Sequence, residues 1–218
     1  MSFYHKILEF LFPDRCAGCR ARGELVCKEC LARIRTAEPP IQAWISASLS
    51  YQNKAVKRLV WMLKYRHARR IAKIFGPYLY ETLFEECAEK RSFRSKARFV
   101  LVPIPLSKKR RRKRGYNQAE ILAKEILKND EEGFFEMALL LEKMIDTKPQ
   151  AEIHNRSARL KNLGDCFRVR AECARTLSPR DHLILVDDVT TTGATLSAAR
   201  DTLRAAGFRH ISAITVAH

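Results

Sequence analysis

The chain has 218 residues, enough for one core of ordinary size and an appendage, and its hydrophobic content of 46% excludes a wholly disordered protein. Its formal net charge is +17, with an isoelectric point near 9.9. A charge of that size does not select a fold, but it predicts a polyanionic ligand, either nucleic acid or a phosphorylated molecule. The alternative is a basic soluble protein whose charge has no special partner.

The N-terminal region predicts a short amphipathic helix rather than a signal peptide. Phe3, Ile7, Phe10 and Leu11 fall on one helical face, and charged residues interrupt the apolar run. The longest apolar runs are far short of a spanning helix, so we expect no stable membrane insertion. Seven cysteines, an odd number without an export signal, indicate a reducing compartment. We therefore expect the protein in the cytoplasm.

Four of the cysteines form two Cys-x-x-Cys pairs that lie seven residues apart: Cys16, Cys19, Cys27 and Cys30. Four thiolates suit tetrahedral Zn²⁺ and leave no position for water, so the expected site is structural. The metal would supply much of the folding free energy of so short a segment. A redox Cys-x-x-Cys or a pair of disulfides is the alternative, and the doubling of the motif favours zinc. The scattered Cys87, Cys166 and Cys173 are expected to be packing residues.

Glu38-Pro39-Pro40 predicts a boundary between this segment, residues 1–40, and a main domain over residues 41–218. In the main domain, sequence patterns typical of strands alternate with patterns typical of helices. Strands are predicted over residues 43–51, 98–105, 137–141, 166–169 and 211–216, and helices over 53–65, 69–89, from after the 115–120 segment to about 128, and 196–207.

Seven basic residues in succession follow the strand predicted over residues 98–105: Lys108, Lys109, Arg110, Arg111, Arg112, Lys113 and Arg114. We expect a loop here that can hold a pyrophosphate group or a nucleic-acid backbone. A solvated tail or an import signal is the alternative interpretation of such a run. A polar segment over residues 143–165 contains Arg156 and Arg159, and its length predicts a functional or mobile loop.

Residues 183–195 combine a strand, a loop and a helix start. The apolar run over 183–186 has no alternation, which predicts a strand buried on both faces, as in parallel sheets. Asp187 and Asp188 follow it and could each accept hydrogen bonds from a sugar hydroxyl. The helix N-terminus then suits a phosphate, which Gly193 lets approach closely. Its loop comprises Thr190, Thr191, Thr192, Gly193, Ala194 and Thr195. These groups together fit a ribose phosphate; a Thr-rich helix cap with two solvated acids is the alternative.

The same residues resemble the phosphoribosyl pyrophosphate (PRPP) signature of type I phosphoribosyltransferases. The resemblance implies that Asp187 and Asp188 hold the ribose 2′- and 3′-hydroxyls, while residues 190–195 wrap the 5′-phosphate. Transfer of the ribosyl group places positive charge on the ring, which the two carboxylates, as candidate catalytic residues, could stabilise. Mg²⁺ would neutralise the pyrophosphate. Arg110, Arg114, Arg156 or Arg159 could receive that leaving group.

The chain as a whole resembles the ComF/ComFC family, named for proteins of bacterial natural competence. The resemblance rests on the four-cysteine segment, Lys64-Tyr65, residues 102–107 and 114–118, Gln150, Arg159 with Asn162, Phe167 and residues 186–195. It implies an α/β fold, a type I phosphoribosyltransferase-like parallel sheet flanked by helices over 41–218, with an N-terminal helix and four-cysteine zinc knuckle over 1–40.

The family resemblance also implies a function. We expect a PRPP-binding protein that acts in DNA uptake and natural transformation and binds single-stranded DNA on the cytoplasmic side, with a ComFA-like helicase ATPase as a partner. If it turns over, it is a phosphoribosyltransferase. The alternatives are a nucleotide-salvage phosphoribosyltransferase of unknown acceptor and a nucleic-acid-binding module on a catalytically inactive phosphoribosyltransferase fold.

Overall fold

The structure, a computed structural model, describes residues 14–38, 42–66, 68–92, 98–144 and 166–218. The helices are α1 (Lys28–Ala32), α2 (Lys54–Tyr65), α3 (Ala68–Ser92), α4 (Lys108–Arg114), α5 (Gln118–Asn129), α6 (Ala171–Ala174) and α7 (Ala194–Ala205). The strands are β1 (Ile45–Leu49), β2 (Phe99–Pro103), β3 (Phe135–Met137), β4 (Leu141–Lys143), β5 (Phe167–Val169), β6 (His182–Val189) and β7 (His210–Ala217). The predicted N-terminal helix and most of the 143–165 segment lie outside the described residues.

Five of the strands form one parallel sheet in the order β1–β7–β6–β2–β3. The other two, β4 and β5, form an antiparallel pair. Parallel neighbours need a crossover between them, and helices supply it here. The prediction of an α/β fold with a parallel sheet flanked by helices is confirmed. β6 is the central strand, so the residues that follow it lie at the middle of the carboxyl edge of the sheet.

The central strand is buried on both faces, as its unbroken apolar run predicts. Ile184 and Val186 pack into an apolar cluster with α2, α3 and α5 on one side of the sheet. Leu183 and Leu185 pack on the opposite side, against α7 and the β4–β5 pair. Because successive side chains of a strand point to opposite faces, four consecutive apolar residues join both layers of helices to one strand.

The basic run over residues 108–114 is a helix, α4, and the prediction of a loop at this position is wrong. Lys and Arg are good helix formers, and the flanking residues define both ends. The Ser107 Oγ accepts a hydrogen bond from the Arg110 N–H at 3.3 Å, and Gly115 ends the helix with φ of 77°. The Asn117 side chain then caps α5 and donates to the Ile104 carbonyl at 3.0 Å. α4 is thereby held beside the end of β2.

The single strand predicted over residues 137–141 is also wrong. The chain instead forms β3, which extends the large sheet beside β2, and β4, which pairs with β5. Leu139, between them, is 37% exposed. A continuous apolar run is divided between two sheets here, and hydrophobic periodicity carries no information about such a division.

The four-cysteine segment packs directly on α2. Ala17 and Leu25 belong to the apolar cluster that contains Leu59 of that helix. The Arg58 guanidinium, also from α2, donates to the carbonyl oxygens of Ala17 at 2.8 Å and Gly18 at 3.2 Å. The boundary between residues 1–40 and 41–218 stays a prediction. Among the described helices, none has the length and apolar character needed to cross a membrane.

Candidate functional site

Asp187 and Asp188 lie at the carboxyl end of the central strand, where the sequence places them. Asp187 is paired in register with Thr215 of β7. Asp188 is buried, with a relative exposure of 8%. The Asp187 Oδ1 accepts a hydrogen bond from the Asp188 N–H at 2.8 Å. Two carboxylates on adjacent residues therefore lie at one sheet edge, linked by this hydrogen bond.

The pKa of the Asp187 carboxyl is raised from 3.8 to about 7. Burial is the largest cause, because a desolvated carboxylate loses its hydration. The negative charge of Asp188 raises the pKa further, whereas the Asp188 N–H and the positive charges of Lys64 and Lys143 lower it. The proton on Asp187 consequently titrates near neutral pH, and a cation or a hydroxyl donor that arrives at the pair favours the ionised form.

Two lysines bring positive charge to this pair from distant parts of the chain. The Lys64 Nζ, at the end of α2, forms an ion pair with the Asp188 Oδ2 at 3.2 Å. Lys143 belongs to β4, and its ammonium group also lies 5.4 Å from the centre of the Phe167 ring. The candidate site thus contains acids from the sheet and bases from both flanking layers, a composition suited to an anion that also carries hydroxyl groups.

The loop after the acids is shaped by a glycine that no other residue can replace without strain. Gly193 adopts φ of +71°, in the left-handed region. A Cβ atom there would lie 2.7 Å from the Gln42 Nε2 and 3.0 Å from the Ile45 Cδ1. The Gln42 side chain donates to the Thr192 carbonyl at 3.2 Å and accepts from the Ser197 Oγ at 3.4 Å. Gln42 therefore bridges the loop to the first turn of α7.

The threonines of this loop are not equivalent. Thr190 is buried, and its N–H donates to the Ala217 carbonyl at 3.2 Å, which ties the loop to the end of β7. Thr191 and Thr192 are exposed, and Thr195 is half-buried in the first turn of α7. The Ala194 N–H, the first of α7, donates to the Thr192 Oγ1 at 3.4 Å.

The basic helix α4 begins shortly after β2, which is the parallel neighbour of β6. The helix and the loop over residues 190–195 therefore follow the carboxyl ends of adjacent strands. Two neighbouring residues of α2 connect it to the acids. Lys64 pairs with Asp188, while the Tyr65 ring lies 5.4 Å from the Arg114 guanidinium carbon. Arg156 and Arg159, the other candidates for the pyrophosphate, lie outside the described residues.

The four clustered cysteines could hold a metal ion such as zinc. Their sulfur atoms all lie within 4.8 Å of one another, and the Cys27 sulfur is 3.7 Å from those of Cys16 and Cys19. Two ligands at ~2.3 Å from a tetrahedral centre are about 3.8 Å apart, so these separations fit Zn²⁺. The backbone N–H groups of Gly18 and Cys27 donate to the Cys16 sulfur at 3.3 and 3.4 Å. Such donors stabilise a metal-bound thiolate.

The remaining cysteines behave as packing residues. Cys87 and Cys166 are buried in the two apolar clusters, and Cys173 is half-buried against the second. Cys16, Cys19, Cys27 and Cys30 form no disulfide here, because such a bond needs a sulfur separation of about 2.05 Å. The paired-disulfide alternative for the N-terminal segment therefore does not describe this structure.

Sequence reasoning alone missed three contributors to the site. Gln42 and Lys143 carry no local motif, and they reach the site only because the fold brings them there. Lys64 stands out in the sequence only through the family resemblance. Its contact with Asp188 depends on the packing of α2 against the sheet. The apolar stripe of that helix is the sequence feature that indicates such packing.

No protein-family model matches the chain. Two curated relatives are similar to it over most of its length. Competence protein ComFC of Bacillus subtilis (strain 168) is 28% identical over 180 residues, which cover 72% of this chain and 69% of the relative. DNA utilization protein YhgH of Salmonella typhimurium (strain LT2) is 27% identical over 185 residues, which cover 84% and 73%. These relatives confirm the resemblance to the ComF family.

Proposed function

We propose that this ComF-like chain binds PRPP with Mg²⁺ at the carboxyl edge of its sheet and acts in DNA uptake. The observation that carries the proposal is the position of Asp187 and Asp188. They lie just before the last residue of the central strand, and a short loop then leads to a left-handed glycine and a helix N-terminus. Ligands of open α/β sheets bind at this edge. The names of the two relatives, a competence protein and a DNA utilization protein, support the DNA part of the proposal.

The 5′-phosphate of PRPP is assigned to the loop over residues 190–195. The first N–H groups of α7 have no partner within the helix and carry a partial positive charge, so an oxyanion is stabilised there. The exposed hydroxyls of Thr191 and Thr192 can donate to the same oxygens. Gly193 has no side chain to obstruct the approach of the phosphate.

The ribose is assigned to Asp187 and Asp188. Carboxylates accept hydrogen bonds and donate none, which suits two neighbouring sugar hydroxyls. The pyrophosphate is assigned to Lys64, already paired with Asp188, and to the cations of α4, whose Arg114 lies over the ring of Tyr65. Mg²⁺ bound with PRPP would neutralise part of its charge. If the ligand is turned over, Asp187 and Asp188 serve as the catalytic residues that stabilise a positively charged ring.

The DNA part of the proposal rests on charge. The chain carries +17, and seven of its 41 Lys and Arg residues are consecutive in α4. Such a surface suits phosphate backbones, and binding should show the steep salt dependence of counterion release. We propose single-stranded DNA on the cytoplasmic side as the nucleic acid, and a ComFA-like helicase ATPase as the partner that delivers it.

A calorimetric titration with PRPP and Mg²⁺ tests the small-molecule part. Wild type should bind, and Asp187→Ala combined with Asp188→Ala should abolish binding. The matched control is Asp201→Ala, which removes an exposed carboxylate from α7 and should bind as wild type does. Ribose 5-phosphate should compete more strongly than inorganic pyrophosphate if the loop and the acids are the principal contacts. Absence of heat at millimolar PRPP would set this part of the proposal aside.

Single-stranded DNA binding across a salt series tests the other part independently. Replacing four of the exposed basic residues of α4, Lys108, Lys109, Arg112 and Lys113, with glutamine should flatten the salt dependence, with the slope falling by about 0.7 for each phosphate that is no longer neutralised. No binding by wild type at low salt would reject the DNA role. DNA binding without PRPP binding would instead leave a nucleic-acid-binding module on an inactive fold.

A further inference from the structure

Helix α2 leaves two large aromatic side chains in solvent, Trp61 and Tyr65, which together we name the aromatic platform. Their relative exposures are 50% and 55%, and their ring centres lie 5.4 Å apart with planes inclined by 44°. Residues four apart share one face of a helix. The opposite face of α2 is fully buried in the core through residues such as Leu59 and Leu63. The platform is therefore displayed by a firmly packed helix.

Arginines from two different elements lie over these rings. The Arg66 guanidinium carbon lies 5.6 Å from the centre of the Trp61 ring, and that of Arg114 lies 5.4 Å from the centre of the Tyr65 ring. Arg66 follows the end of α2, whereas Arg114 ends the basic helix α4. A base that stacks on such a ring takes the place of the guanidinium or shares the ring with it, and the guanidinium offers a hydrogen-bonding fork to the adjacent phosphate.

A groove of about 900 Å³ lies between α3, α4 and α5, and its lining includes Gly115, the residue after Arg114. Five cationic side chains line it, with two carboxylates and the Tyr116 ring; the cations are Arg69, Arg70, Arg111, Lys124 and Lys128. Three of the cations are already paired with carboxylates: Arg111 with Glu120 at 2.8 Å, Lys128 with Glu125 at 2.6 Å, and Arg70 with Asp14 at 2.6 Å. The Tyr116 hydroxyl donates to the Leu63 carbonyl at 3.1 Å, which joins the groove wall to α2.

We infer that single-stranded DNA follows this groove and stacks unpaired bases on Trp61 and Tyr65. The inference rests on the proposed DNA role and names the surface that performs it. A small phosphorylated ligand would explain the cations of the groove, but it would not explain the two exposed rings, which are separate from Asp187 and Asp188. An apolar protein partner accounts for the rings but not for the cations around them. Duplex DNA keeps its bases stacked inside the helix. A single strand offers bases and phosphates together.

The two tryptophans of the chain allow the platform to be observed directly. Trp44 packs with the apolar cluster on the opposite side of the sheet from α2, and the Arg200 guanidinium carbon lies 4.3 Å from its ring centre. A Trp44→Phe variant keeps Trp61 as its sole tryptophan. Oligothymidylate of about 20 nucleotides should quench the emission of this variant on binding, because a stacked base contacts the ring. The Trp61→Phe variant, which keeps Trp44, should bind with little change in emission.

A second measurement separates stacking from phosphate contacts. Wild type should bind labelled oligothymidylate more tightly than an abasic oligomer of equal length. Trp61→Ala with Tyr65→Ala should abolish that preference, and each ring removed should weaken oligothymidylate binding about 5- to 150-fold, the equivalent of ~1–3 kcal/mol per stacked base. Because both side chains are half in solvent, the double variant should show the circular dichroism and melting curve of wild type.

A separate variant tests the phosphate contacts of the groove. Lys124→Gln, an exposed lining residue, should lower the salt slope by about 0.7 for both oligomers alike and leave the preference for bases intact. Equal affinity of wild type and the double alanine variant for oligothymidylate, with no quenching of Trp61, would overturn the platform while DNA binding itself stands. Absence of binding to either oligomer at low salt would overturn the DNA role and the platform together. PRPP binding is independent of both outcomes.

Discussion

Replacement of Asp187 with asparagine is expected to stabilise the ligand-free protein at neutral and alkaline pH. Burial and the charge of Asp188 raise the pKa of Asp187 from 3.8 to about 7. Between these values the folded protein holds a proton that the unfolded chain has released, so the unfolding free energy falls as the pH rises. Asparagine has no proton to lose and avoids that fall. Its Oδ1 can still accept the hydrogen bond from the Asp188 N–H, which spans 2.8 Å in the wild type.

The size of this effect follows from the two pKa values. A rise from 3.8 to about 7, at ~1.4 kcal/mol per pKa unit, corresponds to roughly 4 kcal/mol once the pH exceeds both. Rearrangement around the ionised carboxylate reduces the figure, so we expect the variant to gain about 2–4 kcal/mol at a pH near 8. Near pH 4 the wild-type carboxyl is protonated when folded and half-protonated when unfolded, and the gain should be under about 1 kcal/mol.

Urea denaturation of both proteins at the two pH values measures the gain. The difference between variant and wild type is compared at each pH, because the other titrating groups then contribute equally. Asp201→Asn, an exposed substitution on α7, is the matched control and should show no gain at either pH. Equal stability of wild type and Asp187→Asn near pH 8, or a larger gain near pH 4, would refute the reasoning. The same variant should bind PRPP more weakly, since a hydroxyl donor prefers a carboxylate to an amide.

Three further outcomes follow from the local geometry. Cys16→Ser should remove bound zinc, measured by atomic emission, and lower the unfolding free energy by several kcal/mol, whereas Cys173→Ser should retain the metal. Gly193→Ala should destabilise the protein by about 2 kcal/mol in urea denaturation and abolish PRPP binding, because a Cβ adds a clash with Gln42 to the strain of positive φ. Gly133 is the control: it has φ of +65° and open space around it, so Gly133→Ala should show the strain alone and bind PRPP normally. Asp188→Asn should lower the pKa of Asp187, followed by carbon-detected NMR titration, and an unchanged pKa would argue against coupling of the two acids.

The features that depend on contiguous residues were predictable. The unbroken apolar run before Asp187 identified a strand buried on both faces. The acids, the threonines and the glycine follow it directly in the sequence, over residues 187–195. The doubled Cys-x-x-Cys motif likewise predicted the sulfur cluster, because short spacing alone forces those side chains together. In both places one segment supplies all the groups, so no knowledge of the strand order was needed.

The features that depend on packing between segments were not predictable. Gln42 and Thr192 are 150 residues apart, and their hydrogen bond exists because β1 pairs with β7, which in turn pairs with β6 in the sheet. The ion pair of Lys64 with Asp188 requires the layer in which α2 packs. The basic run illustrates a different limit: its charge suggested an extended loop, while the caps at Ser107 and Gly115 and the helix propensity of Lys and Arg made it helical.

A crystal structure of the wild-type protein with PRPP and Mg²⁺ tests the assignment of the PRPP site most directly. We predict the 5′-phosphate within hydrogen-bonding distance of the backbone N–H groups over residues 190–195 and the two ribose hydroxyls on Asp187 and Asp188, with Lys64 displaced toward the pyrophosphate. PRPP found in the basic groove between α3, α4 and α5, with the acid pair and its loop left without ligand, would contradict the assignment.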